Sequence, residues 1–442
     1  MRDPAGSDAE GSKRPDVLIS TSGTKDPARS LGTAHYSYGF AADAFRSMLA
    51  DEGVPTTLIA EPEQFKTARF ASVHGMSDAP TLHLIFRSSE NIRPIPGVYN
   101  VACFAWEFDA LKANGLPEEA TVHDQVGMLG ACDEVWVPCE YTRQVLNNHG
   151  LERVHVVPAP VHVKQEERGD RRDRFASLAL RESVPLVSLS SGDEAAFGRL
   201  ARTYSAPLID QPRVRSAVEN GGPIFLTVCN PYDKRKNLAS LIEGFLMAAE
   251  NHPDAVLIVK LVTSGQFESP VGYLFHQVRV LFGIPHCFHE DGVVLFSSFL
   301  SREEMSDLYS SADFYLSTSL GEGQNLPLIE AMAHGCVPVS VRNTAMADYI
   351  DQDNAVVIRE RRYSGLVSGL ASDVAGVRVR MPFSDRFAVA EAIQTALGLS
   401  PAQRLAKAAA AARTVQERYS RAAIMSRVRQ RLDDALPGVS FS

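Results

Sequence analysis

The stretch "STSLGEGQNLPLIEAMAHGCVPVSV", residues 317–341, decides the fold. Two β-like runs flank a Gly-rich turn and one short, almost wholly apolar helix. Strands and a helix this apolar belong in a parallel sheet covered on both faces. Two carboxylates nevertheless sit in the unit: Glu322 in the turn and Glu330 eight positions later. In open α/β sheets, ligands bind beyond the carboxyl ends of the strands, and the turn lies at such an end. Gly321 and Gly323 permit close approach of backbone to a ligand, and Pro327 suits the first helical turn. The free N–H groups and the dipole of the helix make this end an anion site. Glu330 and His334 form an i,i+4 pair on one polar stripe. Either that stripe faces solvent, or Glu330 accepts hydrogen bonds from both hydroxyls of a ribose whose diphosphate lies at the helix start.

Outward from this stretch, strand-like and helix-like segments alternate. On the N-terminal side, strands are expected at 16–20, 81–86, 98–106, 134–138 and 153–161. Helices are expected at 40–53 and 139–150. The rhythm restarts with a strand at 223–228, a basic loop and a helix at 238–252. Further buried strands are expected at 255–262, 293–299, 314–320 and 336–341, with a helix at 301–312 between two of them. Ser400, Pro401 and Gln403 form a capping-box pattern with proline at the first helical position. A last helix starts at Ser420. The pattern is α/β, with two doubly wound parallel sheets. A chain of 442 residues exceeds one hydrophobic core. The expected boundaries are a disordered tail over 1–15, an N-terminal domain over 16–215 and a C-terminal domain over 216–415. An irregular connector covers 164–220. A C-terminal helix over 416–442 has the option of packing back on the N-terminal domain.

Composition narrows the function. Charged residues are 22% and the net charge is −9. That leaves no cation excess to neutralise phosphates, so a nucleic-acid partner is not expected. The best apolar run, 256–262, is far short of a bilayer span and is broken by Lys260. The first 15 residues are polar and lack the apolar core of a signal peptide. None of the six cysteines forms a CxxC pair, and several lie in apolar runs, as expected of a reduced, cytoplasmic chain.

"EGQNLPLIEAMAHGCVPVS" resembles the E-x7-E signature of retaining glycosyltransferases of the GT-B architecture, glycosyltransferase family 4. The resemblance extends over roughly 223–350, through "IFLTVCNPYDKRKNLASLIEGF" and "VVLFSSFLSREEMSDLYSSADFYLSTSLGEG". It implies two Rossmann-like domains facing across a cleft. It also implies transfer of a sugar from a UDP-, GDP- or similar nucleotide sugar to a soluble hydroxyl-bearing acceptor, with no further cofactor and no metal. By this resemblance Glu330 holds the ribose, Glu322 meets the sugar hydroxyls, and backbone at Gly323, Gln324 and Asn325 touches sugar and phosphates. Lys236 matches a phosphate lysine, and Phe299 falls among the donor-side positions. Many members carry an arginine at the position of Asn230, which leaves one cation fewer on the departing diphosphate.

Lys234 and Arg235, beside Lys236, are expected as a solvated charge cluster. In the N-terminal half, Trp106 and Glu107 stand where many members carry a His-Asp pair. Glu107 either faces the cleft or makes a buried structural pair. Gly39, opening the helix after the first loop, is a candidate for close approach to the diphosphate. Helix 40–53 carries Asp43, Asp51 and Glu52 against Arg46, so an anionic membrane surface is not expected to hold it. The "DQD" at 351–353 is expected to be an ordinary turn, and "HCFHE" at 286–290 lacks a third metal-ligand motif. "GLVSGL" is not a hydrolase elbow. The alternatives to a transferase are a non-catalytic scaffold of the same fold, or an epimerase or phosphorylase built on it.

Overall fold

The computed structural model describes residues 16–21, 36–62, 81–111, 124–162, 174–175, 178, 182–185, 206–231, 233–262, 292–363 and 381–435. The expectations for 1–15, 286–290 and "GLVSGL" fall outside these residues.

The first unit comprises β1 (Asp16–Thr21), α1 (Tyr36–Asp51), β2 (Thr56–Ile59), β3 (Thr81–Phe86), β4 (Tyr99–Cys103), α2 (Gln125–Gly130), β5 (Glu134–Val137), α3 (Glu140–Asn148) and β6 (Val154–Val156). Its six strands are all parallel, in the order β2-β1-β3-β4-β5-β6. Near-continuous burial along β1, β3 and β5 explains their apolar runs, because helices cover both faces.

The second unit adds β7 (Glu182–Pro185), β8 (Ala206–Pro207), α4 (Pro212–Asn220), β9 (Ile224–Cys229), α5 (Leu238–Ala249), β10 (Val256–Leu261) and β11 (Val293–Phe296). It continues with α6 (Arg302–Ser311), β12 (Phe314–Ser317), α7 (Leu326–Ala333), β13 (Val337–Ser340), β14 (Val356–Val357), the hairpin β15 (Arg361–Tyr363) and β16 (Met381–Phe383), and α8 (Arg386–Leu397). The sheet order is β14-β13-β12-β9-β10-β11-β7-β8. The first six strands are parallel, and β7 and β8 close one edge antiparallel. The chain winds outward from β9 through β10 to β11, then returns to β12 on the other side of β9. The switch point therefore lies between β9 and β12, where ligands bind in such sheets.

Within the connector expected over 164–220, regular elements lie at 182–185 and 206–220 among the described residues. It supplies the β7–β8 edge and α4. That helix has Pro212 in its first turn and a left-handed Gly221 (φ 70°) as its C-cap. Helix α8 was also not expected from sequence. It packs along α5 through Gly244, where an added Cβ would lie 2.6 Å from Val389 Cγ1 and 3.0 Å from the Arg386 carbonyl. Gly244→Ala is expected to lower the melting temperature, since overpacking of this kind costs about 1–3 kcal/mol. A melt no lower than that of the wild type would show that the α5–α8 seam can open.

Two long helices end the described chain: α9 (Pro401–Arg418) and α10 (Arg421–Ala435). The α9 start has the full capping box of Ser400 and Gln403. Ile424, Met425, Val428 and Leu432 of α10 join the core of the first sheet with Phe45, Met48 and Trp136. Around that seam Arg421 pairs with Asp51, Arg429 with Glu52, and Arg431 with the buried Glu134. The acidic end of α1 is thus taken up by α10. No described helix is long and apolar enough to cross a membrane.

Candidate active site

Strands β9 and β12 pair only through Phe314↔Phe225 and Tyr315↔Leu226, then part. The crevice beyond is lined by Thr227, Ser317, Thr318, Ser319, Lys236 and Glu322. Lys236 enters from a turn of 3₁₀ helix, Lys234–Lys236, started by the Asp233 side chain, which accepts from Arg235 N–H at 3.1 Å. Thr318 Oγ1 holds that turn by donating to the Lys236 carbonyl at 2.9 Å. Glu322 comes from the turn after β12. Its N–H donates to Thr344 Oγ1 at 2.9 Å, and Thr344 itself is left-handed (φ 41°).

Lys236 Nζ donates to Glu322 Oε1, and Ser319 Oγ donates to the same oxygen at 2.7 Å. Glu322 is 6% exposed. Burial pushes its pKa up, but the charges of Lys236 and Arg235 and the two hydrogen bonds outweigh burial and leave it below the ordinary glutamate value. The pair leaves a cavity of only about 10 Å³, the size of one water.

Helix α7 follows at once. Asn325 sits before it in the left-handed region (φ 64°), and its own side chain makes no capping bond to the first turn. The positive end of the helix therefore faces the crevice, where among the described residues no carboxylate is bonded to it. The Asn325 side chain is turned inward, donating to Ser317 Oγ at 3.1 Å. One turn on, Glu330 is half-buried and accepts from Tyr309 Oη on Oε2 at 2.9 Å. Burial raises its pKa, and Tyr309 and Arg302 act against that rise. His334 does not continue a solvent stripe. It caps α7, with Nδ1 against the Glu330 carbonyl at 2.7 Å and Nε2 against Ser306 Oγ at 2.8 Å.

The other candidates divide. Glu107 reaches from the first unit to Arg235, which also pairs with Asp233 at 2.7 Å and lies 6.0 Å from the Phe108 ring. Lys234 is exposed, but the solvated cluster expected at 234–235 must be corrected for Arg235: it ties the two units together. The Gln324 carboxamide is likewise turned to the first unit. It accepts from Ala159 N–H at 3.0 Å and donates to the Ala159 carbonyl at 2.7 Å. Gly321 and Gly323 face protein. An added Cβ at Gly323 would lie 2.9 Å from Ala105 Cβ, and one at Gly321 would lie 3.2 Å from the Glu107 carbonyl. Asn230 follows β9, and its main-chain carbonyl accepts from Asp233 N–H at 3.2 Å. Phe299 is 53% exposed. Gly39 lies in the first turn of α1 with open space where its Cβ would be. The Asp351 side chain accepts from Asp353 N–H and Asn354 N–H, which makes "DQD" a local turn.

Sequence reasoning missed Ser319, Thr344 and Tyr309. The first lies within the quoted stretch, three positions before Glu322, a spacing at which its hydroxyl can reach the carboxylate. Nothing in the sequence pairs Tyr309 with Glu330.

Comparison with known proteins locates the same region. Residues 222–372 match the family model of group 1 glycosyl transferases. No curated protein sequence matches the chain. Among solved structures, the chain is similar to sucrose-phosphate synthase from Thermosynechococcus elongatus, at 17% identity and a TM-score of 0.56, over 96% of this chain and 100% of that one. It is also similar to Anabaena HepE, at 13% identity and a TM-score of 0.52, over 95% and 100%. It covers 54% of S. aureus TarM, about half of that longer chain, with 79% of this one aligned at 10% identity and a TM-score of 0.45. The architecture is GT-B: two Rossmann-like units facing across a cleft. The group 1 match spans β9 through β15, so it contains Lys236, Glu322 and Glu330 together.

Proposed function

We propose that the protein is a retaining, hexosyltransferase-type glycosyltransferase that moves a sugar from a nucleoside diphosphate sugar to a soluble hydroxyl acceptor. One observation carries this reading. At the β9/β12 switch point a lysine, a buried carboxylate and an uncapped helix start converge, with a second carboxylate one helical turn away. Lys236 and the start of α7 supply positive charge where the diphosphate leaves. Glu322 orients the sugar through its hydroxyls, and Glu330 accepts from the ribose diol through the oxygen Tyr309 leaves open. The diphosphate of the incoming donor draws Lys236 away from Glu322, and the separation opens the crevice to the attached sugar. No side chain in the crevice is assigned as a covalent nucleophile, so in this reading the acceptor hydroxyl attacks on the face the diphosphate leaves, the sugar–phosphate bond breaks, and the hydroxyl proton passes to the departing phosphate oxygen. The acceptor enters from the first unit, past Glu107. A cytoplasmic location and a soluble acceptor are part of the same reading.

A second reading has its own observation. Lys236 on Glu322 and Arg235 on Glu107 leave the site closed, as a scaffold that never turns over would have it. A panel of nucleotide sugars separates the two. UDP is the first probe because Anabaena HepE is recorded in complex with UDP and glucose. A ligand that binds the native state raises the melting point. Turnover of one sugar nucleotide is expected; a panel with neither melting shift nor turnover leaves the scaffold.

Because Lys236 and the α7 start provide the charge, transfer is expected to survive excess EDTA. Loss of activity restored only by Mg²⁺ or Mn²⁺ would overturn the assignment of leaving-group stabilisation to these groups.

A further inference from the structure

A second cavity, of about 300 Å³, shares no lining residue with the crevice. Pro138, Val156 and Pro158 line it from the first unit. Asp348 comes from the segment after β13, Arg418 and Tyr419 from the end of α9, and Arg427 from α10. Its volume is at the lower end for small-molecule sites, which run from about 300 to 1,000 Å³.

The charges around it are unevenly matched. The Asp348 carboxylate is engaged at the start of α3, accepting from Glu140 N–H at 2.8 Å. Glu140 itself pairs with Arg143. Arg418 donates to the main-chain carbonyl of Asp348, not to its carboxylate. Among the described residues neither Arg418 nor Arg427 has a carboxylate ion-pair partner. Burial raises the pKa of Asp348, helped by the nearby Glu140 charge, while the bond from Glu140 N–H and the charges of Arg418 and Arg427 act against that rise.

We propose that this cavity binds a small phosphate monoester. Arg418 and Arg427 hold the phosphate, since guanidinium forks match phosphate oxygens in geometry as well as charge. Pro138, Val156, Pro158 and the buried Tyr419 ring form the wall for the organic body. The second oxygen of Asp348 is an acceptor for a hydroxyl on that body. Such a ligand touches both units and the two C-terminal helices at once. It therefore stabilises the arrangement in which they stay together, through its differential affinity for that arrangement.

The test must keep phosphate out of the crevice. Glycerol phosphate is titrated calorimetrically into the wild-type chain and into the Lys236→Met/Glu322→Gln double variant, with glycerol as the control. One binding event is expected in both chains for glycerol phosphate and none for glycerol. Arg418→Gln/Arg427→Gln should weaken that event at least ten-fold. Arg427→Lys, which keeps the charge and loses the fork, should weaken it less; it is the gentler variant should the double change unfold, and the melting temperature of each variant reports on that. Absence of binding in the wild type overturns the site, as does binding that persists unweakened in the arginine variants. Binding abolished by Lys236→Met/Glu322→Gln also overturns it, because that result places the phosphate in the crevice. The proposal does not depend on the transfer reaction.

Discussion

Lys236→Ala is expected to slow sugar transfer by about 10²- to 10³-fold, the usual cost of removing one preorganised group that stabilises developing negative charge. The change also leaves Glu322 buried beside Ser319 with its main counter-charge gone, so a fall in melting temperature accompanies it. A simple loss of activity would thus confuse chemistry with folding. The Lys236→Met/Glu322→Gln pair resolves this. It replaces a buried carboxylate and its half-buried lysine partner with two neutral groups of similar length, so the melting temperature should recover most of the way. Turnover should not recover, because the diphosphate still lacks its cation. Lys236→Arg, which keeps the charge, should retain more activity than either. Wild-type turnover in the neutral pair would remove Lys236 from the leaving-group role and leave only the start of α7.

The architecture was largely legible in the sequence for a physical reason. Strands buried on both faces must be apolar throughout, and β3, β9, β10, β12 and β13 announce themselves that way. Two elements that bury one narrow face and lack a clear period were not legible. Helix α8 packs through Val389, Ala392, Ile393 and Ala396 against α5, and small alanines dilute its periodicity. Strand β2 lies at a sheet edge with Thr57 and Leu58 exposed.

The candidate site shows the same division. Glu322 and Glu330 sit on one turn and one helix, so a local pattern can hold both. The partner of each is distant: Lys236 lies 86 positions from Glu322, and Tyr309 lies 21 from Glu330. Arg235 and Glu107, 128 apart, come together only because the two sheets face each other. That is why Arg235 reads, in sequence alone, as part of a solvated cluster with Lys234. The loop glycines show a related limit. Their spacing indicated close approach, but whether ligand or protein does the approaching depends on the other unit.

Glu330→Ala and Glu322→Ala are expected to fail in different ways, and the Tyr309 contact dictates the controls. If Glu330 holds the ribose diol, its removal loses charge-assisted hydrogen bonds worth about 1.5–3 kcal/mol, a roughly ten- to hundred-fold loss of nucleotide affinity. The alanine variant also strands the Tyr309 hydroxyl, so part of its effect would be structural. Glu330→Gln keeps an acceptor for Tyr309 and removes only the charge. It should melt close to the wild type and still bind UDP weakly. Glu322→Gln should do the reverse. It keeps an acceptor for Ser319 and Lys236, and should leave UDP affinity nearly unchanged. Affinity for the sugar nucleotide and the rate of transfer should both fall. A pH series sharpens the assignment. Burial raises the pKa of Glu330, so its ionised form is lost at a higher pH than for an ordinary glutamate. UDP affinity should therefore weaken as the pH falls through that raised value, and this acid limb should vanish in Glu330→Gln. Calorimetric titration of the variants with UDP and with a sugar nucleotide measures all of this. Wild-type UDP affinity in both Glu330 variants would remove the ribose from this end of α7.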